Sequence, residues 1–266
     1  MNSRILRLCV LIFALLIFGA TSSLLAPVAQ AQFVSFTQAA QHHGGGVGNF
    51  TYVNGKLCQG AGPLACSYSP TAGHGMVVGA YACGDGGACT ASTAGLTALT
   101  ISDNVNSPET CFTAAPSSPV TVSDSGGFHE IWYWWVCPSI PSGVTSFTVT
   151  NSDGSTFEAV WLSEWSGSSF TGVIDKDGTA VSGSSGTSAS VSTTAATTNA
   201  QDVCVAMIDN DHEESQTIGG AWTAHFNDGT GNGVLQSTLT SSTGTQTAAA
   251  TWTGSDSWFA EMVCVK

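Results

Sequence analysis

The chain has 266 residues, of which 42% are hydrophobic and only 9% charged, with 18 acidic residues against five basic ones and a formal net charge of −13. That sign repels phosphate backbones and disfavours anionic lipid and acidic polysaccharide, so nucleic acid is excluded as a natural partner while neutral glycans and cations remain. Leu, Glu, Lys and Arg are scarce and no long stretch repeats at a 3.6-residue period, which excludes a helical fold.

In chain order, residues 1–31 read as a secretory signal peptide: Arg4 and Arg7 precede an apolar run from Leu8 to Ala20, and Ala29-Gln30-Ala31 supplies the small-x-small cleavage pattern. The run is shorter than the roughly 20 residues that span a bilayer, and no later segment is long and apolar enough, so no membrane span is expected. Cleavage leaves residues 32–266 as a single extracellular domain. It keeps Lys56, Lys176 and Lys266, no arginine and all 18 carboxylates, a formal −15. A chain of that size buries about 70 per cent of its unfolded surface in one core.

Short runs of Val, Ile, Thr, Phe and Trp follow about every ten residues, separated by Gly, Asn-Gly, Asp-Gly and Ser-Gly turns. They predict strands near 33–38, 47–53, 75–83, 97–102, 109–114, 118–123, 128–137, 144–150, 156–165, 188–194, 202–209, 217–226, 233–240, 245–252 and 257–265. The fold class is therefore all-β, a two-sheet antiparallel β-sandwich. The Ser/Thr-rich stretch 182–200 has a linker's composition, yet SASVSTTAATT alternates like an outer strand, and a loop followed by an edge strand within one domain is the preferred reading.

Eight cysteines in an exported chain predict disulfide bracing. Sequential pairing is the simplest guess: Cys58 with Cys66, Cys83 with Cys89, Cys111 with Cys137 and Cys204 with Cys264. His42-His43 lies in a Gln-His-His-Gly-Gly-Gly segment and is read as a mobile tail rather than a metal clip.

The series GMVVGAYAC, LTISDN, IWYWWVCPSIPSGVTSFTVT, EAVWLSEWSG, ASVSTTAATTNAQDVCVAM and SDSWFAEMVCVK resembles a group of secreted bacterial β-sandwich domains, often appended to larger surface proteins. In that group an aromatic strand and an "EYSG"-like strand end recur, and Ser163-Glu164-Trp165-Ser166-Gly167 matches the latter with Trp for Tyr. The resemblance implies a jelly-roll-like or lectin-like sandwich and assigns no activity.

Three constellations are candidates for function. In FHEIWYWWVC, period two sends Ile131, Tyr133 and Trp135 to one face and Glu130, Trp132, Trp134 and Val136 to the other. A two-layer sandwich covers only one face of a strand, so either a loop covers the second or Trp132 and Trp134 are displayed to stack on sugar rings, with Trp161 and Trp165 as a second such surface. Paired carboxylates for glycoside hydrolysis come from Glu164 with Glu130 or Glu261, although Glu158 and Glu164 share a face with Val160 and Leu162 and equally suit loop capping. Calcium is suggested by Asp175 and Asp177, and by Asp209 and Asp211, whose i, i+2 oxygen spacing also suits Asx turns. The expectation is thus a secreted binding module for a neutral polysaccharide or cell-surface glycan, with a glycoside hydrolase and a structural subunit of an extracellular matrix or filament as alternatives.

Overall fold

The computed structural model describes residues 33–36, 41–42, 50–83, 98–106, 111–123, 129–151, 157–167, 171–210, 216–227 and 233–266. They contain no helix, and the twenty strands are β1 (Phe33–Phe36), β2 (Gln41–His42), β3 (Thr51–Ala61), β4 (Leu64–Ser67), β5 (Gly75–Cys83), β6 (Leu99–Asp103), β7 (Thr113–Ala114), β8 (Val120–Ser123), β9 (His129–Cys137), β10 (Ser146–Asn151), β11 (Phe157–Ser166), β12 (Ile174–Asp177), β13 (Val181–Gly183), β14 (Ser188–Ser192), β15 (Val203–Asn210), β16 (Thr217–Ile218), β17 (Thr223–Asn227), β18 (Val234–Leu239), β19 (Thr247–Thr251) and β20 (Trp258–Val265).

The antiparallel sandwich expected from the sequence occurs twice. The first inner sheet runs β1-β3-β11-β5-β9-β7, with β2 on β3 and β8 on β9, and the first outer sheet runs β4-β10-β6. The second inner sheet runs β12-β20-β15-β18-β17, with β13 on β20, and the second outer sheet runs β14-β19-β16. Each pair comes from a contiguous stretch, β1 to β11 and β12 to β20. The division therefore falls at about 167–173 and not in the Ser/Thr-rich stretch, which forms the edge strand β14.

Three apolar layers order the sheets. Met76, Val78, Ile131, Trp135, Phe147 and Val149 fill the space between the first outer and first inner sheets. Ala189, Val191, Ala206, Ala250 and Met262 do so between the second inner and second outer sheets. Leu57, Trp132, Trp161, Val205, Phe259 and Val263 join the two inner sheets face to face. The stack is thus outer, inner, inner, outer, and both faces of each inner sheet are covered.

That arrangement explains the burial patterns. All nine residues of β5 and all eight of β15 are buried, whereas β14 alternates exposed and buried along its length. Strands covered on both faces read as continuous apolar runs, and strands wetted on one face alternate. Disulfides join Cys58 to Cys66, Cys111 to Cys137 and Cys204 to Cys264, as expected, which marks an oxidising compartment. The expected Cys83–Cys89 pair lies outside the described residues at Cys89. Among the described residues no helix is long and apolar enough to cross a membrane.

Candidate functional site

The four tryptophans expected on display are interior: Trp132 and Trp165 are 0% exposed, Trp134 and Trp161 1%. What covers them is the second inner sheet. Phe259 of β20 stacks on Trp132 at 4.4 Å, Trp132 lies parallel to Trp161 at 5.6 Å, and His225 of β17 meets Trp165 edge-on at 5.8 Å while stacking on Tyr52 at 3.8 Å. Alternation along β9 and β11 is as the sequence indicates; the correction is that neither face meets solvent, so these rings are packing groups and no sugar can reach them in the folded protein. The opposite face of β9 is covered as well, with Tyr133 and Trp135 stacked at 5.0 Å within the first sandwich.

Neither expected carboxylate pair is assembled. Glu164 lies on the face of β11 that looks to the first outer sheet, with Val160 and Leu162, while Glu130 shares the opposite face of the first inner sheet with Trp132 and Trp134. Glu261 projects from β20 into the central layer, beside Phe259 and Val263, so the first inner sheet stands between it and Glu164. Even strand spacing put Glu130 and Glu261 on the central side and Glu164 on the other.

Each of these acids has a local task. Glu164 is 2% exposed; its Oε2 accepts from the Tyr68 hydroxyl at 2.7 Å, its Oε1 accepts from the Thr71 N–H at 3.0 Å, and His74 Nδ1 lies 2.5 Å from that same Oε1. It thereby fastens the loop from β4 to β5, and burial, with the Glu164 carboxylate adding to it, pushes the Tyr68 and Tyr52 hydroxyls up. The His74 side chain is 26% exposed, so the imidazole edge away from Glu164 meets solvent. Sequence reasoning missed His74, which lies 90 residues from Glu164 and is brought to it by the β5–β11 pairing. Glu158 accepts from the Leu64 N–H at 2.9 Å and the Asn151 amide at 2.5 Å; burial raises its carboxyl against the lowering by these donors. Glu130 accepts from the Trp132 indole at 2.5 Å.

Glu261 is completely buried. The Ser117 hydroxyl donates to one oxygen at 3.1 Å, and the Trp134 indole faces the carboxyl without reaching hydrogen-bond geometry. Burial, with the Asp177 charge adding to it against the Ser117 bond, pushes Glu261 up to about 8, so it is a neutral acid over most of the physiological range.

The calcium expectation meets a different donor set. Asp175 is the extra residue of a β-bulge, between the Ile174–Val265 and Lys176–Cys264 pairs, and its carboxylate takes the Lys266 ammonium at 2.8 Å and the Thr198 N–H at 2.5 Å. Asp177 is turned to the Ser117 N–H at 2.7 Å. With a lysine already on one carboxylate and a backbone N–H on the other, Asp175 and Asp177 do not fit a calcium site. Asp209 is 3% exposed on β15, and its expected partner Asp211 lies outside the described residues. Among the described residues no three metal-capable side chains come together. Of the His42-His43 pair, the backbone of His42 lies in β2 and His43 lies outside the described residues.

No protein-family profile matches the chain, and no curated protein matches it in sequence. Two solved structures show a weak likeness. One is the conserved protein of unknown function PA5104 from Pseudomonas aeruginosa PAO1, with a TM-score of 0.28 and 7% identity over 88% of this chain and 99% of that one. The other is HutD from Pseudomonas fluorescens SBW25, with a TM-score of 0.25 and 6% identity over 88% and 100%. At such scores neither likeness carries weight for fold or function.

Proposed function

We propose that the chain is a secreted, non-catalytic surface-interaction module that lies against a neutral polysaccharide or cell-surface glycan, using its outer sheets and not its tryptophans. The observation that carries this reading is the make-up of the two outer faces. On the second outer sheet, Ser188, Ser190 and Ser192 stand beside Thr251, Ala249 and Thr247, with Thr217 next to Thr251. On the first, Ser67 stands beside Ser146, and Thr148 and Thr150 beside Ser102 and Thr100. No charged side chain interrupts these strand positions in a protein that is otherwise strongly acidic.

A flat field of hydroxyls can exchange hydrogen bonds with the hydroxyls of a neutral polymer without stripping water from any charge. Each exchange nets only about 0.5–1.5 kcal/mol, so affinity would come from many contacts at once. The disulfides and the resemblance to secreted bacterial sandwich domains support the same reading. Because the two faces lie at opposite ends of the stack, they also suit end-to-end assembly, which favours the matrix or filament subunit as the second reading; negative-stain electron microscopy of the purified protein would show filaments in that case.

Retention on insoluble cellulose, chitin and xylan tests the proposal. The protein should be retained by at least one of them, and Thr148→Asp combined with Ser190→Asp should lower retention at least tenfold with unchanged thermal stability. Failure of the unmodified protein to bind any of the three would overturn it.

A further inference from the structure

The Asp175 cluster holds more than an ion pair. Asp175 Oδ1 accepts from Lys266 Nζ at 2.8 Å and from the Thr198 hydroxyl, and Oδ2 accepts from the Thr198 N–H at 2.5 Å. The Asp175 side chain is 2% exposed and that of Lys266 36%. Asp202, at 0% exposure, presents its carboxyl directly to that of Asp175, and neither Asp202 oxygen has a donor in hydrogen-bond geometry, Asn199 included. A carboxylic acid whose own O–H points at Asp175 satisfies such a group. Burial, then the Asp175 carboxylate, pushes Asp202 up to about 7, in keeping with that proton.

An amine, a carboxyl group within 3 Å of it, a backbone N–H on the second carboxyl oxygen and a neighbouring carboxylic acid are the parts of an amide condensation: nucleophile, electrophile, oxyanion donor and proton carrier. We propose that Lys266 and Asp175 condense into an intramolecular isopeptide bond, with Asp202 carrying the protons. In the reactive form the Lys266 ammonium has passed a proton to the Asp175 carboxylate. The Nζ lone pair attacks Cγ of Asp175, and the C=O π pair moves onto Oδ2, where the Thr198 N–H holds it. Asp202 accepts a proton from the nitrogen as it gives its own to the Oδ1 hydroxyl, the Cγ–Oδ1 bond breaks, and water leaves past the exposed stem of Lys266. The sum is one ammonium and one carboxylate converted to one amide and one water, with Asp202 returned to its starting form and no outside reagent consumed.

Condensation of separate ions in water is uphill, and the fold reverses this by holding the pair together: well-oriented intramolecular partners reach effective molarities on the order of 10⁵–10⁸ M. The Asp175 contact raises Lys266, and against its burial the hydrogen bonds from Lys266 and Thr198 hold the Asp175 carboxyl well below the usual carboxylate range, so the neutral amine–acid pair is the minor form and the bond forms slowly after folding. The ion pair is the encounter geometry from which it forms.

Intact-mass spectrometry of the whole purified protein, after disulfide reduction and alkylation, tests the assignment. The expected result is a mass one water below that of the processed sequence, and a digest containing a branched peptide that joins the segments carrying Asp175 and Lys266. Lys266→Arg keeps the ion pair and the fold but should show the full mass. Asp202→Asn should lengthen the half-time of water loss after refolding at least tenfold. Full mass in the unmodified protein, or a water loss that persists in Lys266→Arg, would overturn the cross-link, and an unchanged rate in Asp202→Asn would overturn the role given to Asp202.

Discussion

The two sandwiches share an architecture and differ in what fills them. The first packs Phe147, Tyr133, Trp135 and Ile140 against Met76 and Leu162, and fastens its loops with two buried glutamates, Glu158 and Glu164. The second packs Ala189, Ala206, Ala248, Ala250 and Ala260, five of its twelve buried residues, with Val191, Ile208, Val234, Trp252 and Met262. Small side chains bury little apolar surface, at roughly 25 cal/mol per Å², so the second core contributes less per residue than the first. The lesson is that one sheet-on-sheet geometry can be filled mainly by large side chains or with a higher share of small ones.

Predictions that break or sharpen this contrast run from large to small. Trp135→Ala removes the ring stacked on Tyr133 in the first core, and should cost about 3–5 kcal/mol by chemical denaturation, against about 2 kcal/mol for Val191→Ala in the second core. Equal losses would erase the distinction. Removing Cys204–Cys264, which closes a separation of 60 residues, should destabilise by about 4 kcal/mol, and removing Cys58–Cys66, with a separation of 8, by about 2.5 kcal/mol on chain-entropy grounds. The thermal midpoints of the two double alanine variants would show whether the second sandwich leans more on its staple.

Buried acids in the seam and in both halves make stability depend on pH. Glu261 is raised in the folded protein above its unfolded value, so the stability it contributes is fully present below the unfolded value and is lost as pH rises through about 8. The melting temperature should therefore climb between pH 9 and pH 5, with Glu158 and Asp202, also raised, adding to the same trend, and Glu261→Gln should flatten the upper part of the profile. A melting temperature that falls over that range in the unmodified protein would contradict the assignment. The smallest effect belongs to the loop fastening: Glu164→Gln should cost about 1–3 kcal/mol and raise amide exchange at Thr71, leaving the second sandwich unchanged.

Much of the fold is legible in the sequence. SASVS alternates and is the edge strand β14 with alternating exposure; the three guessed disulfides that lie within the described residues all form; the aromatic strand lies where its β-branched and aromatic residues place it. The number of layers was also written there. GMVVGAYAC and VCVAM have apolar or small residues at every position, the mark of strands covered on both faces, whereas SFTVTN, LACS and TAAAT alternate. Reading that difference would have removed Trp132 and Trp134 from the surface. The partners of the buried acids were not legible, because His74 with Glu164 and Lys266 with Asp175 are joined across 90 and 91 residues by strand register alone.

Since each sandwich is built from one unbroken stretch, the seam is also a vulnerability during synthesis. A chain stopped near residue 167 would complete the first sandwich and leave the central-layer faces of β9 and β11 bare, with Trp132, Trp134, Trp161 and Trp165 open to water. Such a fragment would aggregate or be captured by chaperones, and would show intrinsic fluorescence shifted toward that of hydrated indole. The aromatic surface that the sequence suggested would thus exist only in a truncated product, and the second half of the chain acts as its permanent cover.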